Sequence, residues 1–344
     1  MIENYNNKKA ILIGNGINRL DSNQSFSWGD LLEKLKADFG INVDLNNIFK
    51  PFPLAFDEMQ HLKHGSNNLR DILKNLKQCI RSDIENQLSE KRGFNDYHQK
   101  LASIEYNDIL TTNYDYSLEK SIEPNFMSLK RKFALNRQER IFSLKRCYQL
   151  NTNKKFWHIH GELVDSRVHS SKTKSYPEES IMIGYEHYTD YLERIQKAIK
   201  GKSGSQKTKN QSLTVRIRDN KSSPYWMDIF FTHNIDIVGQ AIDFSENHLW
   251  WLFNYRANLI REDVSKNGIS INNKIRFYYA KLKEENLNAL KLHSNNDEMI
   301  WKKNSFQKSK AIGEVMKAFK IETIAIECNT HKEFYDKLIT DYLT

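Results

Sequence analysis

Four short segments, far apart in the chain, each lead an apolar run into a polar signature. They are Ile11-Leu12-Ile13-Gly14-Asn15-Gly16-Ile17-Asn18, Leu110-Thr111-Thr112-Asn113-Tyr114-Asp115, Trp157-His158-Ile159-His160-Gly161-Glu162 and Ile237-Val238-Gly239-Gln240. Short apolar runs closed by turn residues read as buried strands. Separated by helical text, they predict an α/β fold with a Rossmann-like, mostly parallel sheet flanked by helices. Ligands of such sheets lie beyond the carboxyl ends of the strands, so these signatures are where a nucleotide site would be assembled.

The intervening text supports this architecture. Leu31, Leu32 and Leu35 begin a helical stripe after Trp28, and Leu69, Ile72, Leu73, Leu76, Ile80 and Ile84 continue one at three-to-four spacing. Residues 41–103 thus read as a helical insert forming a lid or wall over the pocket, with 1–40 and 104–344 making the Rossmann-like unit. Strands are expected at Ile104 to Thr112, Lys155 to Ile159, Ser180 to Gly184, Asp228 to Val238, Ile275 to Ala280 and Thr323 to Glu327, and a helix at Tyr116 to Ile122.

Two basic stretches stand out, Lys130 to Arg146 and Lys197 to Lys221. The first reads as an exposed amphipathic element, and the second, with little apolar content, as a mobile loop that orders on a partner.

Composition narrows the class of protein. With 39% apolar and 28% charged residues, the 344-residue chain is that of a soluble globular protein. No stretch approaches the ~20 apolar residues of a membrane span. Lys8-Lys9 precedes only a short apolar run, which reads as a first strand rather than a signal sequence, so a cytoplasmic location and no membrane partner are expected. Cys79, Cys147 and Cys328 lack the spacing of a disulfide framework or a zinc ribbon. A net charge of +9 favours phosphate-bearing or acidic partners, nucleic acid being a weakly supported one.

The polar signatures carry the chemistry. Gly14-Asn15-Gly16 suits a tight turn whose backbone approaches a phosphate, although Arg19 stands where the dinucleotide fingerprint has its third glycine. Asn113 and Asp115 offer an amide and a carboxylate that could orient a ribose and a water, while Asp115 could equally cap the next helix. Strand alternation puts His158 and His160 on one face. A histidine there can act as a base near neutral pH, with His158 the structural member of the pair. No third ligand lies nearby in sequence, so no metal is expected.

In order and rough spacing, Gly14-Asn15-Gly16-Ile17-Asn18, Thr112-Asn113-Tyr114-Asp115, His160-Gly161 and Val238-Gly239 resemble sirtuin-like domains. Leu110 to Glu119, His158 to Leu163, Ser180 to Tyr188 and Ile237 to Asp243 resemble more closely the bacterial sirtuin-like family of antiphage defence. The likeness covers about residues 9–40 and 104–330. AbiH-type abortive-infection proteins share the Gly-Asn-Gly start and the His-x-His-Gly segment, but Thr112 to Asp115 fits the sirtuin-like family better.

The resemblance implies binding and cleavage of NAD as substrate, releasing nicotinamide. Gly14, Asn15, Gly16 and Asn18 would line the phosphates. Asn113 would position ribose or water, Thr112 would contact the dinucleotide, Asp115 would support the ribose site, His160 would be the base, and Gly239 and Gln240 would resemble the loop that contacts the adenosine half. Asn18 replaces a common serine, and the zinc-binding cysteines of deacylating sirtuins are absent, which favours hydrolysis over deacylation. The expected setting is an abortive-infection effector that depletes NAD, restrained by homo-oligomerisation or by a regulatory partner such as an ATPase or a phage-sensing subunit. The alternative is a non-catalytic nucleotide-binding module of a defence complex.

Overall fold

A computed structural model describes residues 8–20, 28–45, 50–62, 93–126, 143–150, 153–162, 181–201, 211–219, 224–240, 242–262, 268–282 and 297–343. Seven strands are β1 (Lys9–Ile13), β2 (Asp108–Thr111), β3 (Tyr148–Gln149), β4 (Lys155–His158), β5 (Asn234–Val238), β6 (Ile275–Leu282) and β7 (Glu322–Cys328). They form one sheet in the order β3-β4-β2-β1-β5-β6-β7. All pairs are parallel except β3 against β4, which form an antiparallel edge. The fold is α/β and Rossmann-like, as the strand-and-turn segments predict.

Alternation within the strands builds two cores. Ala10, Leu12, Leu110, Trp157, Ile235 and Ile237 face one layer, where the helices Tyr185–Lys200 and Asn247–Arg261 contribute Tyr188, Tyr191, Ile195, Leu249 and Phe253. Ile11, Ile13, Ile109, Phe156 and Val238 face the other, covered by Leu101 of helix Asp96–Ser103, Leu118 of helix Ser117–Ile122 and Phe334 and Tyr335 of helix His331–Lys337. Strands buried on both faces read as unbroken apolar runs, which is why β1 and β5 are legible in sequence.

A third cluster joins Leu31, Leu32 and Leu35 of helix Trp28–Phe39 to Phe56 and Met59 of helix Phe52–Leu62, and both to Tyr114, Ile181 and Ile183. This cluster packs against Tyr114 in the loop after β2. Helix Asp96–Ser103 belongs instead to the covering layer of the sheet. The stripe from Leu69 to Ile84 lies outside the described residues, as does most of Lys130 to Arg146.

Several local expectations need correction. The apolar run Ile229–Thr232 is a helical turn, closed by Thr232 Oγ1 donating to the Asp228 carbonyl at 2.9 Å, and β5 starts only at Asn234. Around Ile181 there is a single antiparallel bridge to Gly161 rather than a strand. Within the second basic stretch, Lys197 and Lys200 end a helix and Leu213–Arg218 forms another. Arg216 there is buried, bonding both oxygens of Asp228 at 2.6 and 2.7 Å and lying over the Tyr225 ring. A buried guanidinium needs such a planar, bidentate partner, and this one pins the helix to the core.

Candidate functional site

The strand order makes a site possible. From β1 the chain builds β2 and β4 to one side, then crosses to build β5, β6 and β7 on the other, so the order reverses at β1 and β5. The four polar signatures follow β4, β2, β1 and β5, which are contiguous, and so their loops meet along one edge.

At the reversal point the two loops interlock. Gly14 N–H donates to the Val238 carbonyl and Gly16 N–H to that of Gly239, each at 3.0 Å. The Gln240 side chain straps across the turn, its Oε1 accepting from Thr112 Oγ1 at 2.8 Å. A Cβ on Gly14 would stand 2.1 Å from that Oε1 and 2.5 Å from the Gly239 carbonyl oxygen, so only glycine fits. Gly239 has a φ of +60°, and a Cβ there would meet Tyr335 Oη at 1.9 Å.

Asn18 and Asp115, expected at phosphates and ribose, are joined to each other. Asn18 Nδ2 donates to Asp115 Oδ2 at 2.9 Å and to Asn15 Oδ1 at 2.8 Å. Asp115 Oδ1 accepts from Ser117 N–H at 3.0 Å, which ties this carboxylate to the first residue of the helix after β2. His98 completes the relay, its Nε2 lying 2.8 Å from Asn18 Oδ1 while its Nδ1 accepts from Asn95 N–H at 3.1 Å. Burial holds His98 down at about 4 despite the nearby Asp115, which favours the neutral ring. Leu20, Asn95, Tyr97, Gln99 and Lys332 line a cavity of about 670 Å³, which none of the sequence-predicted site residues lines.

Asn113 and His160 each stand two residues beyond the paired Thr111 and His158 at the ends of β2 and β4. Asn113 N–H donates to Thr111 Oγ1 at 3.0 Å, and its Nδ2 points at the Gly14 carbonyl, 3.4 Å away, which can only accept. That orientation leaves Asn113 Oδ1 buried without a hydrogen-bond partner among the described residues. An unmet buried acceptor costs ~1–3 kcal/mol, and a donor from a ligand or a water would relieve it.

His158 and His160 do not share a face, contrary to the expectation from alternation. The strand ends at His158 and the chain turns, Gly161 N–H reaching back to the His158 carbonyl. His158 packs edge-on against Tyr116 and Tyr148. Its Nδ1 lies 2.9 Å from the Asn113 carbonyl oxygen and its Nε2 2.8 Å from Glu119 Oε1. Burial alone would lower its pKa, but Glu119, followed by Glu162 and the Asn113 carbonyl, raises it to about 9. His158 is therefore a buried imidazolium clamping the Asn113 backbone. Glu162 beside it binds Arg146, Tyr116 and Tyr148. Burial would raise its pKa, yet Arg146 and then His158 hold it below the usual carboxylate range.

His160 turns to the opposite core, packing against Tyr188 and His248. Its Nε2 is 3.2 Å from His248 Nε2 and 3.1 Å from Glu246 Oε2. Tyr188 hydrogen-bonds to the Glu246 carboxylate. Tyr114 donates to the Met182 carbonyl at 2.5 Å and Met182 N–H to that of His160, tying the loop after β2 to the loop after β4.

Sequence reasoning missed Glu246 and His248, which arrive at the start of helix Asn247–Arg261 after the β5 loop. The signal was present as a Glu-x-His pair following a strand-end glycine. The fold and site define a doubly wound α/β protein with a polar edge at its switch point. No family model matches the chain, and no curated protein matches it in sequence.

Proposed function

We propose that the chain is an NAD glycohydrolase of the sirtuin-like kind, cleaving the nicotinamide–ribose bond with water to give nicotinamide, ADP-ribose and a proton. The observation that carries this reading is Asn113 Oδ1, buried and unpartnered at the strand edge where a nucleotide would lie. An acceptor there is suited to a ribose hydroxyl or to the attacking water. As the bond to nicotinamide breaks, the ribose becomes oxocarbenium-like, and a fixed acceptor stabilises that charge without reorganising. His160, on the adjoining strand end, takes the proton released when water adds to the anomeric carbon. Asp115 keeps the Gly14–Asn18 turn in place through Asn18.

Activity in this reading is restrained by assembly, as homo-oligomer or with a regulatory partner, in the setting of an antiphage effector. Asn113→Ala and His160→Ala test the reading through nicotinamide release. Each variant is expected to retain its circular dichroism and lose activity, His160→Ala by ~10²–10⁴-fold. Undiminished release from either removes that residue from the mechanism. Tight NAD binding by the wild type with no turnover would favour the non-catalytic binding module.

A further inference from the structure

Three groups around His160 are arranged in a way that base catalysis alone does not require. His160 Nε2, His248 and the Glu246 carboxylate come from a turn after β4 and a helix start after β5, 88 positions apart in the case of the two histidines. One ligand-type atom of each lies within 4.8 Å of the others, and all three residues are buried. The two Nε2 atoms are 3.2 Å apart, and His160 Nε2 is 3.1 Å from Glu246 Oε2. A tetrahedral ion with bonds of about 2.0–2.1 Å sets its ligand atoms about 3.3–3.4 Å apart, close to these spacings.

The polar accounting points the same way. Glu246 Oε2 is buried and lacks a hydrogen-bond partner even though His160 Nε2 is close, so that approach is off-line for a hydrogen bond. His248 Nδ1 is also buried without a partner, 3.8 Å from the same oxygen. A buried carboxylate oxygen and a ring nitrogen left unpaired beside two imidazoles in mutual contact are a set that a bound cation would satisfy. The surroundings suit ligation too, since Tyr188 hydrogen-bonds to the carboxylate and the rings of Tyr188 and Tyr191 wall the histidines.

We propose that His160, Glu246 and His248 form a binding site for a divalent transition ion of the zinc class. Two imidazoles and one carboxylate are a donor set that zinc accepts with a fourth position left for water, whereas calcium and magnesium prefer oxygen ligands alone. Resting on the NAD reading, one consequence concerns regulation: an ion on His160 Nε2 occupies the lone pair that would accept the proton, so zinc inhibits hydrolysis.

The site is tested on the full chain, stripped with chelator, by titration with Co²⁺ followed by Zn²⁺. One equivalent of Co²⁺ per chain, giving the visible absorption of a four-coordinate ion and displaced by Zn²⁺, is expected. His248→Ala and Glu246→Gln should each weaken binding by at least the ~10–100-fold that loss of a supporting residue costs. His248 is fully buried, so circular dichroism is recorded first; the isosteric Glu246→Gln decides if His248→Ala does not fold. No binding, or binding that both folded variants retain, overturns the site. Nicotinamide release is measured in parallel. Binding without any such activity would leave the site standing and sink the NAD reading, and activity that zinc raises would overturn the inhibitory role.

Discussion

Replacing His158 with glutamine should change the stability of the protein by an amount that depends on pH. In the folded chain, burial would lower the His158 pKa, but Glu119 at 2.8 Å and then Glu162 raise it to about 9, against an ordinary value of 6.5. A base raised on folding binds its proton more tightly in the native state. Its stabilisation is complete below the unfolded pKa and is lost as pH rises through the folded one. At about 1.4 kcal/mol per tenfold change in proton affinity, the gap is worth ~3 kcal/mol, most of it lost between about pH 6 and pH 9. The assay is urea unfolding of wild type and His158→Gln at pH 6, 7.5 and 9, since the difference between the two cancels the other titrating groups. The stability advantage of the wild type should shrink by ~3 kcal/mol across that range. An advantage that stays constant or grows with pH would refute a charged His158. Because His158 also holds the Asn113 carbonyl, this substitution should lower activity as well.

Other predictions concern the frame around the site. Gly239→Ala puts a Cβ at 1.9 Å from Tyr335 Oη on a backbone with φ of +60°, and should cost ~2–5 kcal/mol of unfolding free energy from strain and overpacking together. Adding Tyr335→Phe, which removes a hydroxyl buried without a partner, should recover part of that loss; no recovery would show that contact to be irrelevant. Arg216→Met takes the bidentate guanidinium away from the buried Asp228 carboxylate, with an expected loss of ~3–5 kcal/mol by chemical denaturation. The double variant Arg216→Met with Asp228→Leu should be less destabilised than the single one, and a larger loss would contradict the pairing.

The sheet was legible because strands buried on both faces are written as unbroken apolar runs, and Gly14, Gly161 and Gly239 mark where they turn. Ile229–Thr232 reads as strand for the same reason, yet it is helical, because a short apolar run does not distinguish a buried helical turn from a strand. The His-x-His segment misled because alternation holds only inside a strand, and β4 ends at the first histidine. Glu246 and His248 were invisible as partners of His160, since nothing local links a strand end to a helix start 88 residues on. Arg216 looked like one more charge in a basic stretch until Asp228 was brought against it.

The activity proposed for this chain is hydrolysis of NAD at the strand edge bearing Asn113 and His160. Proton NMR of NAD incubated with the pure full-length chain tests it most directly, because nicotinamide and the anomeric protons of ADP-ribose are followed in one spectrum. Equal amounts of nicotinamide and ADP-ribose, appearing with wild type and absent with Asn113→Ala, are the predicted result. An unchanged NAD spectrum with wild-type protein, across protein concentrations that span its assembly, would contradict it.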